Sequence, residues 1–219
     1  EECLGLPFDI HGGGMDLTFP HHENEIAQSC GAHGEDKDPK RFVHYWIHNA
    51  MLNIDGEKMS KSLGNILYIR DLLKEYPGEV LRLSLLSSHY RQPLNLTDDT
   101  LSQAQSTLDR FYRNLKKNES IEINTNPLEY LPNNFLEALC DDLNTSKAIA
   151  VINEVSKKLS LADENKKKEL KTQLIAIGYI LGILQNNPDQ WLGLNKVSEG
   201  TDANLIEELI SKRNIARKN

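Results

Sequence analysis

Two adjacent histidines and two acids stand close together in the segment PHHENE, residues 20–25. Proline suits the first turn of a helix, and a helix that begins there places His21 and Glu25 four residues apart on one face. An imidazole and a carboxylate at that spacing can both reach one zinc ion, which takes nitrogen, oxygen and sulfur ligands in a tetrahedron. The alternative is a helix N-terminus that carries acids for its dipole, beside a core histidine. A metalloprotease HExxH motif is excluded because Ile26 stands where its second histidine is needed.

A run of glycines follows the strand-like residues 7–10 and precedes the histidine pair. Glycine lets backbone approach a ligand closely, and open α/β sheets bind nucleotides at the carboxyl ends of their strands. We therefore predict that Gly12, Gly13 and Gly14 lie against a nucleotide, with Asp16 placed to accept a hydrogen bond from a ribose hydroxyl. The alternative is a simple turn in which Asp16 only caps the following helix.

The segment EKMSKSLGN, residues 57–65, follows the turn pair Asp55-Gly56 and carries Lys58 and Lys61. Flexible ammonium groups on such a loop are suited to phosphate charge that moves during a reaction. We expect both lysines to act on a phosphate substrate. The alternative is a solvated polar loop.

The elements that must position these residues belong to residues 1–65, which are rich in Gly, His and Asp. Short strand-like runs alternate there with glycine turns and helical segments, which predicts an α/β sheet. The predicted strands are residues 7–11, 42–47 and 51–54, and the last of them ends at the Asp-Gly turn.

The rest of the chain reads as helical in two parts, residues 66–118 and residues 135–219. An Asn/Pro-rich linker, residues 119–134, separates them. The last part contains two long amphipathic helices with the polar residues 162–169 between them, and a further helix from about residue 203. This arrangement predicts an antiparallel helical bundle.

Apolar residues recur at three- and four-residue spacing in three of these helices, which gives each helix one apolar face. Thr97 or Asp98 can cap the first of the three. The three faces consist of Leu101, Ala104, Leu108, Phe111 and Leu115; of Ala148, Ile152, Val155 and Leu159; and of Leu170, Leu174, Ile177, Leu181 and Leu184.

The composition limits the class of protein. A chain of 219 residues with 39% apolar content can form one large or two modest domains. Its apolar runs are too short and broken to span a bilayer, and no export signal is visible at its start. Three cysteines without CxxC spacing favour a reducing, cytoplasmic compartment. We expect Cys30 and Cys140, on apolar helical faces, to be core residues.

A net charge of −7 means that a nucleic acid would have to meet a local basic face. Two basic clusters stand out, and either could follow a phosphate backbone or form a solvated surface. They are Arg110, Arg113 and Lys117, off the apolar face of their helix, and Lys212, Arg213, Arg217 and Lys218 near the end.

Taken together, the motifs resemble one enzyme family. KMSKS is a hallmark of class I aminoacyl-tRNA synthetases, and FDIHGGGMDLTFPHHENEIAQS, YWIHNAMLNIDGEKMSKSLGN and SSHYRQPLN closely resemble the cysteinyl-tRNA synthetases. The resemblance is dense over residues 4–118 and looser beyond, through DDLNT and RNIAR. It implies the second half of a Rossmann-type catalytic domain in residues 1–65, a stem-contact region in residues 66–118 and a bundle of the anticodon-binding type in residues 135–219.

The resemblance also implies an activity. Members bind ATP with Mg²⁺ and L-cysteine, form cysteinyl-adenylate, and pass the cysteinyl group to the terminal ribose of tRNA(Cys). We expect a cytoplasmic monomer with no membrane contact.

Residue roles follow from motif position in that family. A zinc ion holds the substrate sulfur with two cysteines, one histidine and one glutamate, and the last two correspond to His21 and Glu25. His22 is left to packing or support beside the metal. Lys61 corresponds to a lysine that contacts ATP, with Lys58 assisting. Gly12, Gly13, Gly14 and Asp16 would lie along the adenosine.

The departures from the family pattern matter too. The HIGH motif and the two zinc cysteines are absent, and Cys3 stands too close to Leu4-Gly5 to match either cysteine. The chain starts at Glu1 without methionine, so we expect it to be an inactive piece of a longer enzyme that supplies the other ligands. We also expect the family's small C-terminal module to have no counterpart in these residues. The alternatives are a related cysteine ligase acting on an amino sugar, disfavoured by the bundle, and a non-catalytic tRNA-binding paralogue, disfavoured by the intact motifs.

Overall fold

The structure is a computed structural model that describes residue 3 and residues 5–32, 38, 42–60 and 63–194. Several predicted features lie outside the described residues. They are Lys61, the helix from about residue 203, and the basic cluster Lys212, Arg213, Arg217 and Lys218.

Two parallel strands form the first sheet, β1 (Phe8–Gly14) and β2 (Val43–Asn49). Helix α1 (Glu23–Ala32) lies between them in sequence, as a parallel pair requires a crossover connection. The register runs from Phe8 opposite Val43 to Gly14 opposite Asn49. The three glycines are therefore the last residues of β1 and not a turn, because each pairs with a residue of β2. Their predicted place at the carboxyl end of a strand is confirmed.

A second sheet has the strand order β4 (Glu57–Lys58), β3 (Leu52–Ile54) and β5 (Leu94–Leu96). The predicted Asp-Gly turn joins β3 to β4, and both residues have positive φ, 50° at Asp55 and 87° at Gly56. Strand β5 contradicts the all-helical interpretation of residues 66–118. Three residues between a proline and a helix cap carry no periodic signal, so only the pairing with β3 defines this strand.

Three helices follow the second sheet's first two strands: α2 (Ile69–Leu72), α3 (Gly78–Leu86) and α4 (Asp98–Lys117). Helix α4 begins with the expected cap at Thr97. The Thr97 side chain accepts a hydrogen bond from the Thr100 amide at 3.2 Å, and the Thr100 hydroxyl accepts one from the Thr97 amide at 2.9 Å. All members of the predicted apolar face of α4 are buried.

The last described part is the predicted bundle, with α5 (Asn133–Cys140), α6 (Thr145–Leu161), α7 (Glu164–Leu181) and the short α8 (Pro188–Trp191). The connection between the two long helices is shorter than the predicted residues 162–169. Only Ala162 and Asp163 separate α6 from α7, because the Asp163 carboxylate caps the new helix and the lysines and glutamates that follow are good helix formers. The apolar face of α6 is entirely buried, as predicted.

One hydrophobic core runs from the second sheet through α3 and α4 into the bundle. A polar cluster lies inside it: the Glu79 carboxylate accepts hydrogen bonds from the Tyr112 hydroxyl at 2.9 Å and from the amides of Leu184 and Gln185 at 2.8 and 2.9 Å. Burial raises the pKa of the Tyr112 hydroxyl. This cluster fastens the loop after α7 to α3 and α4.

The cysteines do not occupy the positions predicted for them. Cys140 is exposed and Cys30 is only half-buried, so neither is a core residue. Cys140 falls on the exposed face of α5 together with Leu136 and Glu137, and Cys30 falls on the partly buried face of α1 beside Ser29. In the described part of the chain, no helix is both long and apolar enough to cross a membrane.

Candidate metal and nucleotide site

The candidate site lies where β1 and β2 end. Strand β1 contributes His11, β2 contributes His48, and the chain leaving β1 turns through residues 15–22 into α1, which carries Glu25. Because the two strands are parallel, their carboxyl ends share one edge, so side chains from three separate segments converge there.

His21 and Glu25 form the pair that their spacing predicts. The His21 Nε2 atom lies 3.3 Å from Glu25 Oε1, one helical turn apart. His21 is well exposed, whereas the Glu25 side chain is 30% exposed. The predicted arrangement on one face is therefore confirmed.

The second oxygen of Glu25 has a different environment. Glu25 Oε2 is buried, and none of the described residues donates a hydrogen bond to it, although His11 Nε2 lies 3.0 Å away. A carboxylate oxygen in that state is costly unless a cation or a donor completes it. Among the described residues, His11, His22 and Glu25 form a group whose ligand atoms all lie within 4.8 Å of one another. Imidazole nitrogen and carboxylate oxygen are donors that zinc accepts, so the residues present fit that ion.

His22 is the buried member of the group, with 3% of its surface exposed. Its Nδ1 atom lies at hydrogen-bond distance, 3.0 Å, from Nε2 of His48, and its ring packs against Trp46. Burial lowers the pKa of His22, and the neighbouring His11 and His48 lower it further. His22 is therefore neutral at pH 7, which is the form in which imidazole binds metals.

The glycines make room for these side chains. A Cβ atom on Gly13 would lie 2.9 Å from the His22 ring, and one on Gly12 would lie 3.4 Å from the Ile47 carbonyl oxygen. A Cβ on Gly14 would collide with the Asp16 carboxylate. The close packing of His22 thus gives Gly13 a structural reason that the sequence pattern did not reveal.

The lysine motif reaches the same edge. Lys58 Nζ lies 3.4 Å from Asp16 Oδ2, so two residues 42 positions apart in the sequence are neighbours. Asn65, at the end of the lysine motif, is bonded back to its beginning. The Asn65 Oδ1 atom accepts a hydrogen bond from the Ser60 amide at 2.8 Å, and its Nδ2 donates to the Lys58 carbonyl at 3.3 Å.

The residues predicted to contact RNA lie apart from this edge, on α4. Arg110 donates a hydrogen bond to the Asn153 side chain of α6, and Arg113 Nη2 lies 3.5 Å from Asp109 Oδ2. Lys117 is exposed. Two of the three cations are therefore engaged within the protein.

Sequence reasoning left His11 without a role and left His22 to packing or to support beside the metal. The structure brings both to Glu25. No spacing rule connects a strand residue to a helix twelve or more residues later, and only the crossover from β1 through α1 shows the proximity. A cluster of histidines in residues 11–48 was the one available signal.

Two families match the chain. The family described as tRNA synthetases class I (C) catalytic domain matches residues 1–106, and the family described as DALR domain matches residues 134–185.

Among solved structures, an Agrobacterium radiobacter LeuRS in a ternary complex with tRNA and LeuAMS superposes with a TM-score of 0.65 at 21% identity, over 88% of this chain and 28% of that one. Mycobacterium tuberculosis methionyl-tRNA synthetase, in complex with methionyl-adenylate, superposes with a TM-score of 0.51 at 18% identity, over 86% and 44% of the two chains. At identities of 21% and 18%, these superpositions show a shared fold and nothing more.

Curated relatives are closer in sequence. A cysteine–tRNA ligase of Parvibaculum lavamentivorans is 46% identical over 100% of this chain and 46% of its own length, and one of Rhodospirillum rubrum is 46% identical over 98% and 46%. The chain thus spans about half the length of the curated relatives it matches. With both families matched and identity sustained along the chain, it belongs to the cysteine–tRNA ligase family of class I tRNA synthetases.

Proposed function

We propose that the full-length protein activates L-cysteine with ATP to cysteinyl-adenylate and transfers the cysteinyl group to tRNA(Cys). The observation that carries this proposal is the convergence of two motifs at one sheet edge, where Lys58 Nζ lies 3.4 Å from Asp16 Oδ2. A cation-bearing loop beside the carboxyl ends of parallel strands is suited to binding the phosphates of a nucleoside triphosphate.

The proposed division of labour follows from the chemistry of activation. The substrate carboxylate attacks the α-phosphate, so the protein needs no nucleophile of its own. Its residues position the reactants and stabilise charge on the departing pyrophosphate. Lys58 and Lys61, together with Mg²⁺, would neutralise this negative charge. Gly12, Gly13, Gly14 and Asp16 would lie along the adenosine.

We assign His21 and Glu25 to zinc, with two further ligands outside this chain. Serine differs from cysteine by one atom, and a pocket that selects by shape gains only roughly 10–200-fold from a change of that size. A bound zinc ion would supply a soft acceptor that stabilises a thiolate and not an alcohol. The unsatisfied oxygen of Glu25 and the nearby nitrogens of His11 and His21 support this assignment.

The proposed partners are tRNA(Cys), L-cysteine and ATP, for a cytoplasmic monomer. Lys117 is the best candidate for a backbone contact with RNA, because Arg110 and Arg113 already have partners within the protein. By itself the 219-residue chain should be inactive, since half of the expected metal ligands lie elsewhere.

Two assays on the full-length protein test the proposal. Cysteine-dependent exchange of pyrophosphate into ATP should occur, and tRNA(Cys) should be charged with cysteine. Exchange without charging of tRNA would favour a cysteine ligase that acts on an amino sugar. Absence of exchange, with retained tRNA binding, would favour a non-catalytic paralogue.

A further inference from the structure

Two motifs that carry no part of the proposed chemistry contact each other. The SSHYR segment, residues 87–91, follows α3, and the DDLN turn, residues 141–144, joins α5 to α6. The first belongs to the part of the chain that holds the sheets, and the second begins the long helices of the bundle.

The contact centres on the Asp142 carboxylate. Its Oδ1 accepts a hydrogen bond from the Tyr90 hydroxyl at 2.6 Å, and its Oδ2 accepts one from Arg91 Nε at 2.5 Å. Arg91 Nη2 adds a longer bond to Oδ1 at 3.4 Å, and the guanidinium lies 5.1 Å from the centre of the Tyr90 ring. Such a two-pronged interaction fixes direction as well as distance. The Arg91 and Tyr90 bonds hold the pKa of Asp142 below its usual value.

The DDLN turn holds its carboxylate in place through an uncommon backbone shape. Asp142 and Leu143 both have positive φ, 52° and 56°, a region that residues other than glycine rarely occupy. Two further bonds tie the start of α6 to the same segment: the Ser146 hydroxyl donates to the Ser87 carbonyl at 3.0 Å, and the Thr145 hydroxyl donates to the Ser88 carbonyl at 3.3 Å.

The SSHYR segment is also bonded to the candidate site's side of the molecule. The Tyr90 carbonyl accepts a hydrogen bond from the Ala50 amide at 2.8 Å. Ala50 directly follows Asn49, the end of β2, which pairs with Gly14 at the end of β1. The segment therefore lies between the edge that carries the candidate site and the start of the bundle.

We propose that Asp142 is a positioning residue, whose bridge to Tyr90 and Arg91 sets the orientation of the bundle relative to the edge formed by β1 and β2. This inference rests on the proposed function. An RNA that lies along the bundle must present its end at that edge, so a change of angle at the start of α6 displaces the RNA end while cysteine and ATP remain undisturbed.

The geometry separates this role from a role in folding. Asp142 and Arg91 are about half exposed, with side-chain exposures of 50% and 52%, and exposed ion pairs contribute little to stability. The core that joins the second sheet to the bundle is continuous and mostly apolar, and hydrophobic contacts are less directional than this hydrogen-bonded bridge. Loss of the bridge should therefore leave the fold intact and alter the angle.

Asp142→Asn tests the inference in the full-length protein, and Asp141→Asn is its matched control. The Asp141 carboxylate contacts only its own side of the interface among the described residues, with Asn144 at 3.4 Å and Lys147 at 3.9 Å. We expect Asp142→Asn to lower kcat/KM for tRNA charging roughly three- to tenfold, a loss of the size that one ordinary hydrogen bond contributes, mainly through KM for tRNA. Cysteine-dependent pyrophosphate exchange should stay within about twofold, and the control should change neither.

A charge swap guards against a variant that merely folds poorly. Arg91→Asp and Asp142→Arg should each impair charging, and the two together should recover most of the loss. Equal loss of exchange and charging in Asp142→Asn, or no loss of charging, would overturn the inference.

A distance measurement on the 219-residue chain separates this inference from the proposed function. Spin labels on Asp9→Cys in β1 and Lys157→Cys in α6, with the native cysteines replaced by serine, should give a narrow distance distribution. Asp142→Asn should shift or broaden it and Asp141→Asn should not. An unchanged distribution overturns the positioning role even if the enzyme charges tRNA. Absence of activity in the parent enzyme, with a broadened distribution, overturns only the proposed function.

Discussion

Single side chains at the candidate site are packed so closely that one added carbon atom matters. The His22 ring is buried beside Gly13, whose missing Cβ would lie 2.9 Å from it. Gly13→Ala should therefore destabilise the chain by about 1–3 kcal/mol, because the ring or β1 must shift. Urea unfolding of the purified chain measures the effect.

Gly31→Ala is the control for that measurement. Gly31 lies in α1, and a Cβ there meets nothing within 4 Å among the described residues. The change should be neutral or stabilise by up to about 1 kcal/mol, because alanine favours a helix. Equal destabilisation by the two changes would contradict the packing argument.

The proposed zinc ligands are also tested one residue at a time. His21→Ala and Glu25→Gln should remove zinc from the full-length protein and weaken cysteine binding by at least about tenfold, with ATP binding nearly unchanged. Metal analysis and separate titrations of the two substrates give the answer. His44→Ala, an exposed histidine of β2 outside the metal-compatible group, should change neither.

Equal losses for cysteine and ATP would argue against the assignment of His21 and Glu25. If zinc is lost from His11→Ala or His22→Ala but retained in His21→Ala, the metal ligands are instead the group His11, His22 and Glu25.

The pair His21 and Glu25 could be predicted from the sequence, whereas the grouping of His11 and His22 with Glu25 could not. His21 and Glu25 share one helix, so their spacing alone places them together. His11 and His48 come from paired strands, and His22 is buried only because Gly13 leaves space for it. Those relations depend on the parallel register of β1 and β2, which no local pattern encodes.

At the scale of elements, one side chain connects the described residues of the segment that follows β4. Asn65 spans it by accepting from the Ser60 amide and donating to the Lys58 carbonyl. The Asn65 amide thus ties Lys58 and Ser60 to the residue that follows the motif, while Lys61 lies outside the described residues.

Lys61→Ala should slow adenylate formation while the affinity for cysteine stays nearly unchanged, because an ammonium group that meets phosphate charge acts on the transition state. Asn65→Ala should slow the same step to a smaller degree by loosening the loop. Single-turnover activation on the full-length protein, beside a cysteine titration, measures both. An unaltered activation rate in Lys61→Ala would contradict the assigned role.

Secondary structure was predictable where a long periodic pattern existed. The apolar faces of α4 and α6 and the cap at Thr97 are as expected. Strand β5 and the two-residue connection before α7 were not, since one depends on a distant partner and the other on the capping carboxylate of Asp163. Short elements are defined by their contacts more than by their composition.

At the scale of the whole molecule, the buried carboxylate of Glu79 joins α3, α4 and the loop after α7. Tyr112→Phe removes one donor and leaves that carboxylate less satisfied, so it should lower the free energy of unfolding by about 1–3 kcal/mol at pH 7. Denaturant unfolding of the chain measures the loss.

The same variant has a predictable pH dependence. Burial raises the pKa of Tyr112 above its unfolded value of about 10, so the folded chain keeps a proton that the unfolded chain releases. The contribution of Tyr112 to the free energy of unfolding is therefore fully present below pH 10 and is lost as the pH rises above 10. The gap in stability between the parent and Tyr112→Phe should therefore narrow above pH 10. A gap that widens there would contradict this reasoning.

The loop after α7 has no regular secondary structure, yet the amides of Leu184 and Gln185 donate to a charge inside the core. Neither amide can open to water without exposing that carboxylate and the apolar side chains around it. In a hydrogen-exchange experiment these two loop amides should consequently exchange as slowly as the interior amides of α4, and their protection should fall with global unfolding.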